Sequence, residues 1–103
     1  MLHSLRTHHV APGKMNEFHE LRREAIPFLE KHGIKVVGYW KTEIGPSPCV
    51  VSITAFEDWA QYERAQSSLV ADTEFKKLMG RFQGLSLRTD TVILRPTDYS
   101  PMQ

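Results

Sequence analysis

At 103 residues, 41% apolar and 24% charged, the chain has the length and composition of one ordinary globular domain with a single core. A formal net charge of +1 from 13 bases and 12 acids, without a Lys/Arg cluster or aromatic-basic interleaving, excludes a nucleic-acid groove. One cysteine makes no internal disulfide, no apolar segment opens the chain and none approaches the roughly 20 apolar residues of a membrane span, so a cytoplasmic location is expected.

Leu2 to Val10 (LHSLRTHHV) reads as a first strand by its length and by the Pro12-Gly13 that bounds it. Leu2 and Val10 argue for one buried face and Leu5 for the other. Lys14 to His32 is a helix, because Phe18, Leu21, Ala25 and Phe28 recur at three-four spacing and Gly33 is placed to stop it. Pro27 inside this span predicts a kink or a weakened last turn.

Residues 36 to 56 form a hairpin around Gly45-Pro46-Ser47-Pro48. With Ile44 opposite Cys49, alternation sorts its side chains into two sets. Gly38, Trp40, Thr42, Ile44, Cys49, Val51, Ile53 and Ala55 are expected beneath the helices. Val37, Tyr39, Lys41, Glu43, Val50, Ser52, Thr54 and Phe56 are expected on the face the helices leave open. Glu57 and Asp58 then suit a helix N-terminus, and Trp59, Tyr62, Ala65 and Leu69 give a second helix its stripe. Asp72 can cap a short third helix with Phe75, Leu78, Met79 and Phe82 on its apolar side, ending near Gly84. Leu85 to Arg95 (LSLRTDTVILR) is a last strand closed by Pro96, and Thr97 to Gln103 a polar tail.

The order β-α-β-β-α-(α)-β predicts an α+β, ferredoxin-like split βαβ over residues 1–103, with a four-stranded antiparallel sheet and helices on one face. The other face then needs a cover. A second copy of the chain is the economical one, giving a homodimer, or a multiple of it, packed sheet to sheet around a mixed polar cavity.

The same residues carry a family likeness. LRTHHVAPGKMNEF, VVGYWKTEIGP, CVVSITAFED and, more weakly, ADTEFKKLM and ILRP resemble the NIPSNAP family of the dimeric α+β barrel superfamily across almost the whole chain. The resemblance implies a homodimer whose two sheets form one barrel. Family members commonly carry a His and a Trp two apart on the second hairpin strand. This chain has Ser52 and Thr54 there, so roles attached to those rings do not carry over. The family likeness fixes no single reaction.

The candidate site is the set expected on the inner face: Arg6, His8, Tyr39, Ser52, Thr54, Arg88 and Asp90. Two guanidinium groups, an imidazole and a phenol hydroxyl could hold a small aromatic or acyl oxyanion, with His8 available for proton transfer. The same charges also read as interfacial ion pairs that satisfy one another. The function expected is small-molecule binding. A non-catalytic protein-interaction module and a cofactor-free monooxygenase or isomerase are the alternatives. No metal site is expected, because His3, His8 and His9 alternate across one strand. No cofactor is expected either, since the Gly45 turn has prolines where a phosphate cradle needs backbone donors. Cys49 reads as a packing residue.

Overall fold

The computed structural model describes residues 1–103 as β1 (Leu2–Val10), α1 (Met15–Lys31), β2 (Lys35–Lys41), β3 (Cys49–Phe56), α2 (Trp59–Ala71), α3 (Thr73–Gly80) and β4 (Ser86–Leu94). The strands form one antiparallel sheet in the order β2-β3-β1-β4, the ferredoxin-like α+β arrangement expected from the sequence. Local chemistry sets the element ends. The Asp58 carboxylate accepts the Gln61 N–H at 2.8 Å to start α2, and Asp72 accepts the N–H groups of Glu74 and Phe75 at 3.0 and 3.2 Å to start α3. Gly33 takes the left-handed φ of 80° that lets the Ile34 N–H return to the Leu29 carbonyl, closing α1. α1 continues through Pro27, which leaves the Arg23 carbonyl without its helical donor but does not end the helix.

The two expected sets of hairpin side chains hold together, but their facing is reversed. Val50 and Phe56, expected on the open face, are 3% and 2% exposed beneath the helices, while Trp40 and Ile44, expected in the core, are 52% and 96% exposed, Ile44 lying in the loop beyond β2. Phe56 stacks edge-on against Tyr62 of α2, and Val50 joins Phe18 and Leu21 of α1 in one core cluster. The helix aromatics therefore meet the set that contains Ser52 and Thr54. The register also differs: Thr42, not Ile44, opposes Cys49, its N–H donating to the Cys49 carbonyl at 2.9 Å, and Val37 forms a bulge between Val36 and Gly38. A two-residue slip preserves facing, so the sets survive it, apart from the parity change at Val37.

Strand β1 has a definite facing. Leu2, Ser4, Arg6, His8 and Val10 share the helix side with Ser52 and Thr54, and His3, Leu5, Thr7 and His9 share the open side with Val51 and Ile53. The core is two clusters, one around Val10, Phe18, Val50 and Leu78 and one around Leu2, Leu29, Phe56 and Leu69. No helix is long and apolar enough to cross a membrane.

Candidate functional site

Side chains attached to both core clusters line a cavity of about 160 Å³ between the sheet and the helices. Leu29, Phe56, Leu69 and Phe75 give it an apolar wall. Its polar lining comes from Ser4, Arg6, Arg22, Tyr39, Ser52, Thr54 and Gln66. Small hydroxyl side chains on the two central strands leave space where larger residues would fill the layer, which is why the cavity lies over Ser4, Ser52 and Thr54.

Arg22 dominates the electrostatics of this space. It projects from α1 into an aromatic box, its guanidinium carbon 5.4 Å from the centroid of Phe18, 5.8 Å from Tyr39 and 4.8 Å from Phe82. Its Nε is buried without a hydrogen-bond partner. Burial pulls its pKa down, the adjacent Tyr39 hydroxyl opposes that, and Arg6 adds like-charge repulsion. Neither Arg22 nor Arg6 belongs to any of the chain's ion pairs. Two guanidinium groups thus converge on one cavity without a carboxylate between them.

His8 lies on the same face, 3% exposed, with Nδ1 3.2 Å from the Thr89 hydroxyl and Nε2 unpartnered. Its ring packs 5.4 Å from Phe18. Burial, and then Arg22 and Arg6, push its pKa down to about 3, so the imidazole is neutral at neutral pH.

Five of the seven residues singled out in the sequence therefore share the helix-covered face: Arg6, His8, Tyr39, Ser52 and Thr54. Arg88 and Asp90 do not join them. Arg88 pairs with His9 and Asp90 with Thr7 across the β1–β4 ladder, which puts both on the open face, where they form an ion pair of 3.2 Å. Arg6 takes no part in that pair. Sequence reasoning missed Arg22, although a charge interrupting the Phe18, Leu21, Ala25 stripe was a visible signal.

No curated protein matches the chain. Among solved structures, it superposes on an uncharacterized NIPSNAP domain protein from Burkholderia xenovorans with a TM-score of 0.90 at 24% identity, covering 98% of this chain and 99% of that one. A NIPSNAP family protein from Agrobacterium tumefaciens gives a TM-score of 0.90 at 27% identity over 99% and 98% of the two chains. A putative antibiotic biosynthesis monooxygenase from Nitrosomonas europaea shares the fold, with a TM-score of 0.72 at 11% identity over 93% and 98%. The sequence model of the NIPSNAP family matches residues 3–101, and with the ferredoxin-like sheet this places the chain in the NIPSNAP family.

Proposed function

We propose that the protein binds a small organic carboxylate, aromatic or short-chain acyl, in the cavity between its sheet and helices. The observation that carries this reading is Arg22, a desolvated guanidinium stacked among three rings with no carboxylate of the chain to neutralise it. Holding an unpaired cation out of water costs free energy that a bound anion recovers, and guanidinium matches a carboxylate in shape as well as charge. A cavity of about 160 Å³ is close to the size that receives one benzene ring, so the reading favours ligands of one ring or a short acyl chain. His8 supports binding over proton transfer: depressed to a pKa of about 3, it is not an imidazolium at neutral pH and is a weak base.

The working unit in this proposal is a homodimer, as the family resemblance implies, but formed through the face opposite to the one expected from the sequence. Trp40, Val92 and Leu94 are exposed on that face, with Leu5, Val51 and Ile53 half-buried between them, an apolar sheet surface a second copy would cover.

Ligand-induced thermal shift tests the binding claim. Benzoates and short fatty acids should raise the melting temperature of the wild type in proportion to occupancy and leave Arg22→Met unmoved. No shift in the wild type, or equal shifts in both proteins, overturns it.

A further inference from the structure

The open face of the sheet carries a second cluster, at the end nearest the β2–β3 loop. Three strands contribute to it: Cys49 opens β3, His9 lies beside it near the end of β1, and Asp90 sits across the ladder on β4. Cys49 Sγ is 3.4 Å from His9 Nδ1, and His9 Nε2 is 3.0 Å from Asp90 Oδ2. Asp90 is held in turn by Arg88 at 3.2 Å. The His9 hydrogen bond, and then Arg88, keep the Asp90 carboxyl below the ordinary carboxylate range, so it accepts from Nε2–H. That contact fixes the imidazole tautomer and leaves Nδ1 as the acceptor facing the thiol. A nucleophile, a base and a group that orients the base are thus in sequence, which is the arrangement covalent catalysis uses to activate a thiol. The members lie along a line of contacts, and no group of three or more His, Cys, Asp and Glu is placed to hold a metal ion.

From this geometry we infer that Cys49, His9 and Asp90 form a reactive-thiol site that undergoes exchange with low-molecular-weight disulfides. Exchange fits better than acyl transfer because it needs no oxyanion donors, and neighbouring backbone N–H groups are engaged in the sheet, Val10 to the Pro48 carbonyl and Thr42 to the Cys49 carbonyl. In the step, His9 Nδ1 takes the thiol proton and Cys49 Sγ attacks one sulfur of the disulfide. The new S–S bond forms as the old one breaks, and the electron pair leaves on the departing thiolate, which collects the proton from His9. Cys49 is oxidised to a mixed disulfide and one half of the reagent is reduced to a thiol. Asp90 is a positioning residue that acts through His9.

Cys49 is the only cysteine, so every mixed disulfide reports on this site. The test is the rate at which glutathione disulfide modifies the whole protein, followed by mass spectrometry. Folded wild type should react faster than the same chain in denaturant. His9→Gln and Asp90→Asn should each slow the folded protein by about tenfold or more, and Asp90→Glu should restore part of the loss. A folded protein slower than the unfolded chain, or variants that match the wild-type rate, overturns the inference.

Discussion

Arg22 stands four residues after Phe18 and three before Ala25, inside the stripe that α1 turns toward the sheet. No carboxylate of the chain pairs with that charge, which separates its two effects experimentally. Arg22→Met keeps an unbranched stem among Phe18, Tyr39 and Phe82 and removes a desolvated cation. Its stability by chemical unfolding should therefore lie within about 1 kcal/mol of wild type even as ligand response disappears. His8 gives the second residue-scale prediction. Its folded pKa is about 3 against an ordinary 6.5, so between those values the unfolded chain binds a proton that the native state does not. The resulting stability is fully present above pH 6.5 and declines as pH falls toward 3, at about 1.4 kcal/mol per pH unit from this group alone. Urea unfolding from pH 6.5 to 4 should show that slope in the wild type and a flatter one in His8→Gln.

At the scale of the elements, the facing of the hairpin has a direct energetic signature. Phe56, packed against Tyr62, should cost about 3 to 5 kcal/mol on truncation to Ala, as large-to-small core changes do. Trp40→Ala should cost less than Phe56→Ala at the same protein concentration, because half of Trp40 is already exposed. Chemical unfolding of the two variants side by side checks the order, and a costlier Trp40 would support the facing expected from the sequence and contradict the one observed. The sequence made the elements, their order and the two alternating sets of the hairpin legible, since periodicity and capping are local. Facing was not local. Ser52 and Thr54 looked too polar for a helix-covered surface, and they face the helices because they line a cavity there instead of a packed layer. Trp40 looked like core, yet its ring lies along the sheet over Gly38, where an added Cβ would fall 2.6 Å from Trp40 Cη2. On β4, Arg88 to Val92 are exposed on both faces, so no burial pattern could assign Arg88 and Asp90 to a side. The His9–Cys49 and His9–Asp90 contacts join residues 40 and 81 positions apart and become visible only with strand register.

On the scale of the whole molecule, the sheet has two unlike faces. One is covered by helices and encloses an arginine-lined cavity; the other is open, apolar toward Val92 and Leu94, and polar toward the Cys49 end. A second copy over the apolar part should appear as a dimer in sedimentation at micromolar concentration. Ile53→Asp, at the centre of that part, should shift it to monomer, whereas a wild-type monomer would remove the dimer from the account. The claim at the centre of the account is that a small carboxylate sits against Arg22, and the Arg22 Nε–H resonance observes that contact directly. In an NMR titration with benzoate, this resonance should move saturably, together with backbone amides of Ser52 and Thr54. An Arg22 signal that stays fixed while benzoate is added, or changes confined to the open face, would contradict it.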